Sequence, residues 1–169
     1  MQKSAGRQKT GKLSTPKAAG QCVCGDVKFE IDVPATWAWH DHSIASRRAQ
    51  GCAYATYVGT WRSRFRLLEG AGSITRFEEP KTHATRSFCA RCGTPLFYER
   101  ARAPKFVNIP RALFKSRTGR EPRYHLSIHE KVDWIYEGET LSPLKGYPGV
   151  MWVRPKRKKA TEMLEVFET

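Results

Sequence analysis

The sequence predicts a mainly β domain of antiparallel sheets with one short helix, on three observations. Short runs rich in aromatic and β-branched residues recur along the 169-residue chain. Gly and Pro clusters such as Glu69-Gly70-Ala71-Gly72 punctuate them. A single stretch before the C-terminus has helical character.

In chain order, Val27, Phe29 and Ile31 alternate with Lys28, Glu30 and Asp32, the period of a half-buried strand. Ser43 to Gln50 reads as the helix, with Gly51 placed as its stop. Strands are expected at Tyr54 to Thr60, Arg64 to Leu68, Ser73 to Phe77, Thr85 to Phe88, Pro95 to Tyr98, Lys105 to Ile109 and Tyr124 to Ile128. Near the end, Thr161 to Phe167 is expected to form one or two helical turns, with Met163 and Phe167 at i, i+4. No solenoid-length repeat is present.

The composition, 40% hydrophobic and 11% aromatic, supports one core of ordinary size. Residues 1–19 contain almost no large apolar side chain apart from Leu13, too little to offset ordering entropy, and are expected to be a disordered basic arm. Residues 20–150 are the expected β domain and 151–169 a basic tail. No stretch approaches the roughly 18 apolar residues of a spanning helix, and no apolar signal-like run opens the chain. The expectation is a soluble, cytoplasmic protein with no membrane partner.

The net charge of +14 is uneven. Residues 1–20 carry Lys3, Arg7, Lys9, Lys12 and Lys17 with no acidic residue. Arg154, Lys156, Arg157, Lys158 and Lys159 face Glu162, Glu165 and Glu168 at the other end, so the tails hold half the excess. Such a field attracts polyanions, including nucleic acid without sequence preference, and small anionic ligands. The tails lack the aromatic side chains that stack bases.

Four of the five cysteines form two close pairs, Cys22-Val23-Cys24 and Cys89-Ala90-Arg91-Cys92. Two short chelating pairs joined by a long loop supply the four deprotonated thiolates of a tetrahedral zinc. Free buried thiols, disulfides and a redox Cys-x-x-Cys are the other readings. A Cys22–Cys24 disulfide is strained, because strand residues i and i+2 stand about 6 to 7 Å apart. Gly25 and Gly93 follow the pairs, as tight turns around metal-bound thiolates require. A four-thiolate ion has no open position, so Cys22, Cys24, Cys89 and Cys92 are expected to hold one structural zinc whose binding free energy is folding free energy.

The run Gly20-Gln21-Cys22-Val23-Cys24-Gly25-Asp26-Val27-Lys28-Phe29, with the later Thr85-Arg86-Ser87-Phe88-Cys89-Ala90-Arg91-Cys92-Gly93-Thr94-Pro95-Leu96-Phe97, resembles the glutathione-dependent formaldehyde-activating enzyme family. The likeness continues through His125, Lys131 and Trp134 and covers roughly residues 20–147. It implies a β-tent fold, a structural zinc on the cysteine pairs, and carbon–sulfur lyase chemistry on glutathione–formaldehyde adducts at a second, catalytic zinc. In the family a Cys-His-Cys-x-x-Cys segment before an Arg-bearing helix binds that second ion. Alignment on Arg47-Arg48-Ala49-Gln50-Gly51 puts this segment at Asp41-His42-Ser43-Ile44-Ala45-Ser46, which keeps the His and none of the cysteines.

Asp41 still offers an oxygen ligand. Ser43 and Ser46 are poor replacements, since a neutral hydroxyl lacks the charge and softness of thiolate. If the segment is extended, alternation puts His40 and His42 on one face and Asp41 on the other, so a two-His metal site needs Ser43, His125 or a distant carboxylate to complete it. Cys52 is either a small buried hydrophobe or a thiol activated by Arg47 and Arg48. The expected protein therefore keeps the structural zinc, has a degenerate site at Asp41, His42, Ser43 and Ser46, and lacks the original activity. It is expected to bind a small anionic or thiol ligand, or to do nothing catalytic; in the lyase reading, Arg47, Arg48 and Lys131 are the cations that would hold an anionic tripeptide. A lyase-type enzyme working on another thiol adduct through a rebuilt metal site, and a nucleic-acid or protein-binding module using the tails, are the alternatives.

Overall fold

A computed structural model of the chain describes residues 15–135 and 141–153. It contains twelve strands and one α-helix: β1 Lys17–Gln21, β2 Lys28–Asp32, β3 Trp37–Asp41, α1 Ile44–Gln50, β4 Ala55–Trp61, β5 Phe65–Glu69, β6 Ile74–Glu79, β7 Ala84–Cys89, β8 Pro95–Arg100, β9 Phe106–Pro110, β10 Tyr124–Leu126, β11 Leu141–Pro143 and β12 Met151–Val153. The expected mainly β class with one short helix is what forms. The expected C-terminal helical turns, residues 1–14 of the arm and residues 154–169 of the tail lie outside the described residues.

The strands make two sheets, a small one in the order β1-β2-β5 and a large one in the order β11-β12-β10-β3-β4-β9-β8-β7-β6. All pairings are antiparallel except β3 with β10, which run parallel and set His125 beside His40 and Leu126 beside Asp41. That exception is possible because a long excursion separates the two strands in sequence, as a parallel connection requires.

Strands β1, β3, β11 and β12 differ from the sequence expectation. β1 begins at Lys17, inside the stretch read as an arm, because Ala18 is fully buried and its residues pair with β2. Its Lys-Ala-Ala-Gly-Gln sequence carries no β-branched or aromatic residue, so no local propensity marks it. β12, Met151–Val153, lies in the stretch read as tail and pairs with β10 and β11. β3 was not expected as a strand, because Trp-Ala-Trp-His-Asp is buried on both faces at places and breaks the alternation.

Between the sheets, Phe29 and Ile31 of β2 meet Val58, Leu96, Val107, Ile109 and Phe114. Full burial of such side chains contributes about 1.5–3 kcal/mol each. Phe29 meets Phe114 edge-on at 5.5 Å. Alternation sends Tyr57 and Tyr98 to a second cluster with Trp39, Ala55 and Ala84. Helix α1 lies near the end of β3. Ser43 caps it by accepting a hydrogen bond from the Ser46 N–H, and Gly51 ends it at φ 61° in the left-handed region.

On the small sheet, Arg66 Nε donates to Glu30 at 2.6 Å and its Nη2 donates to Asp32, while Lys17 Nζ also donates to Glu30 at 2.6 Å. Lys17 and Arg66 hold the Glu30 carboxyl below its usual range, and Arg66 does the same for Asp32. A depressed folded-state pKa contributes stability above the unfolded value, about 4 for carboxyls, and that contribution fades as pH falls through the lower folded value. Between about pH 5 and pH 2 the wild type should therefore lose more unfolding free energy than Arg66→Met, measured by urea titration. Parallel losses in the two proteins would show that the cluster is not coupled to folding.

Candidate metal centre and adjoining cleft

Two turns of different sequence build one cluster of thiols. In the first, the Cys22 N–H donates to the Val27 carbonyl at 3.0 Å and the Gly25 N–H to the Cys22 carbonyl at 3.1 Å, with Gly25 at φ 81°. In the second, the Cys89 N–H donates to the Thr94 carbonyl at 2.9 Å and the Gly93 N–H to the Cys89 carbonyl at 2.8 Å, with Gly93 at φ 70°. Glycine is favoured at both positive-φ positions because it carries no Cβ.

The sulfurs of Cys22, Cys24, Cys89 and Cys92 all lie within 4.8 Å of one another. Cys22 Sγ is 3.4 Å from Cys24 Sγ, which is 3.7 Å from Cys89 Sγ. Tetrahedral zinc with bonds of about 2.3 Å places its sulfurs about 3.8 Å apart, so the donor set and its spacing fit that ion. All five cysteines are free in this structure.

Supporting donors surround the sulfurs. The Val27 N–H donates to Cys22 Sγ at 3.3 Å, and Thr94 Oγ1 lies 3.0 Å from Cys92 Sγ. Thr94 Oγ1 also accepts from the Val23 N–H at 3.2 Å, tying the two turns together. Across the cluster, Arg91 Nη1 pairs with Asp26 at 2.8 Å. The Thr94 hydroxyl and backbone N–H pull the Cys92 thiol down to about 5. At Cys24 the Asp26 backbone N–H favours thiolate, but burial and the neighbouring thiols outweigh it and push the group up to about 12. Four close thiols do not all ionise on their own, and a dication that replaces their protons resolves the conflict.

The residues aligned with the family's second site come together elsewhere. The Asp41 carboxylate, 2% exposed, accepts from the Ser43 N–H at 2.9 Å and from the Ser46 hydroxyl at 3.1 Å. The Ser46 N–H in turn donates to Ser43 Oγ at 3.2 Å. His42 is fully buried, with Nε2 2.8 Å from His125 Nδ1, and the His40 ring lies 4.7 Å from the His125 ring. The parallel pairing of β3 with β10 thus joins the three histidines. Among the described residues, the four cysteines are the one group spaced to hold a metal, and the histidines do not join Asp41 in another.

Asp41, Ser43 and Ser46 open instead on a broad cleft of about 1420 Å³ along the large sheet. Arg48, Lys81, Arg86, Arg100 and Arg102 outnumber Asp41, Glu79 and Glu130 around it, which suits an anionic ligand. Arg86 and Arg100 lie over the Tyr98 ring at 5.2 and 5.5 Å. Burial pushes the Tyr98 and Tyr57 hydroxyls up, so both stay protonated at neutral pH. Neither tyrosine carries a sequence signal that separates it from core aromatics, and the cleft arginines look like solvated surface charge until the fold gathers them.

Other sequence candidates fall outside the cleft. Arg47 Nε donates to the His42 carbonyl at 3.1 Å and so braces the helix start. Cys52 is exposed, and burial by its surroundings pushes its thiol up despite Arg47, the opposite of an activated nucleophile. Lys131 and Trp134 are exposed and do not line the cleft.

Comparison with known proteins places these features in context. The family model for the glutathione-dependent formaldehyde-activating enzyme matches residues 17–130. A crystal structure of a Rhodobacter sphaeroides protein is similar in fold, with a TM-score of 0.51 and 24% identity over 59% of this chain and 89% of that chain.

Proposed function

This chain belongs to the glutathione-dependent formaldehyde-activating enzyme family, and we propose that it keeps the family's structural zinc while lacking the zinc chemistry that gives the family its name. The observation that carries this reading is the closed hydrogen-bonded set of Asp41, Ser43 and Ser46. Where the family pattern has three thiolates, the Asp41 carboxylate accepts from the Ser43 N–H and the Ser46 hydroxyl, and the Ser43 hydroxyl accepts from the Ser46 N–H at the start of helix α1. Neutral hydroxyls compete poorly with water for zinc, and a single carboxylate does not hold it alone.

The zinc on Cys22, Cys24, Cys89 and Cys92 would supply folding free energy, and with every position taken by thiolate it would offer no site for a substrate. The basic cleft then serves as a binding site for a small anionic or thiol-bearing ligand in a cytoplasmic protein. Tyr98 lies on its wall, and burial keeps the hydroxyl protonated. Arg48 and Arg102 supply charge for a carboxylate, while Arg86 is paired with Glu79 at 3.7 Å.

Purified protein mixed with glutathione and formaldehyde tests this directly. The expected rate of S-hydroxymethylglutathione formation equals the uncatalysed rate. A clear excess that depends on protein concentration would overturn the proposal.

A further inference from the structure

A second, smaller cavity of about 220 Å³ adjoins the cleft and shares Tyr98, Arg100 and Leu126 with it. Trp37, Trp39, Phe106 and Leu126 supply its apolar walls, and Arg100 and Asn108 its polar ones. We propose that this cavity is a binding site for a small aromatic carboxylate, held by ring contacts with the tryptophans and by Arg100 on the carboxylate.

The walls come from separate parts of the fold. β3 contributes Trp37 and Trp39, whose rings meet at 6.4 Å and 65°. Tyr124 backs Trp37 edge-on at 5.3 Å, so the ring is braced although 37% exposed. Gly59 on β4 leaves room for the Trp39 ring, since a Cβ there would stand 3.1 Å from Trp39 Cζ3. Flat, braced aromatic walls favour an aromatic guest by offset and edge contacts.

Charge sets the rest of the preference. Arg100 Nη2 donates to the Tyr98 hydroxyl at 3.3 Å, and Arg100 forms no ion pair among the described residues. Its remaining N–H groups are suited to bidentate contact with a carboxylate. Trp39, 6% exposed, carries an indole N–H that has no hydrogen-bond partner among the described residues. Asn108 spends its Nδ2 on the Tyr98 carbonyl at 3.2 Å, which holds that wall in place.

Size narrows the class further. The volume lies below the roughly 300–1,000 Å³ typical of drug-sized ligand pockets, enough for one ring and one carboxylate and too small for a tripeptide. The site does not depend on whether Asp41 and its neighbours bind metal.

Benzoate titrated into the full-length protein, followed by tryptophan fluorescence and calorimetry, tests the site. Saturable binding is expected, with benzyl alcohol and acetate each weaker by about tenfold or more, since each lacks one half of the recognition. Arg100→Met should weaken benzoate by about tenfold and leave benzyl alcohol unchanged. Arg102→Met, which alters the broad cleft alone, should leave benzoate binding as in the wild type. Absence of saturation by benzoate, acetate binding as tightly as benzoate, or an unaffected Arg100→Met variant would each overturn the site. The comparison of the three ligands needs only the wild type, so a poorly folding variant does not decide it.

Discussion

Cys89→Ser should yield a chain that holds no zinc and shows no cooperative unfolding transition. Cys89 is fully buried at the end of β7, within sulfur–sulfur contact of Cys24, and its backbone closes the second metal turn. Structural zinc sites in small domains contribute on the order of 10–16 kcal/mol, comparable to or larger than the roughly 5–15 kcal/mol net stability of a whole domain. A hydroxyl in place of the thiolate also leaves the turns from β1 and β7 without their tie. Elemental analysis and thermal circular dichroism on the purified variant read both effects. A variant that melts like the wild type would mean that the apolar core between the sheets holds the fold unaided.

The triple variant Asp41→Cys, Ser43→Cys, Ser46→Cys should bind one zinc more per chain than the wild type. The Asp41 and Ser46 side chains already meet at 3.1 Å with Ser43 between them in sequence, and the first turn of helix α1 also closes through the Arg47 N–H on the Ser43 carbonyl at 2.9 Å, a backbone bond that the variant keeps. Cysteine differs from serine by little more than the larger sulfur, and at position 41 a zinc-bound thiolate keeps a negative charge where the carboxylate accepts from Ser43 N–H. Cobalt substitution offers a second readout, because thiolate–cobalt absorption should grow with the added site. Unchanged zinc stoichiometry and an unchanged cobalt spectrum would show that loss of the ligands is not what separates this chain from a two-zinc protein.

The cysteine cluster was legible because chelation imposes short spacings that survive as text, and the two Cys pairs with their following glycines leave few alternatives. Helix α1 was legible for a similar reason, since Ser43 and Gly51 are local cap signals that act where they stand. β1 and β12 were not, because Lys17–Gln21 and Met151–Val153 become strands only through partners far along the chain. The parallel pairing of β3 with β10 is nonlocal too, so the meeting of His40, His42 and His125 could be entertained from alternation but not placed. Tyr98, Arg100 and the two tryptophans of the small cavity carry no spacing rule at all. Their roles come from the register that brings β3, β8 and β9 together.

The zinc content of wild-type protein purified without added metal tests the central claim most directly. One zinc per chain by elemental analysis is the predicted result, matching a filled cysteine cluster and a second site closed by Asp41, Ser43 and Ser46. Two zincs per chain would contradict it, because Asp41 or the neighbouring histidines would then have rebuilt a second centre.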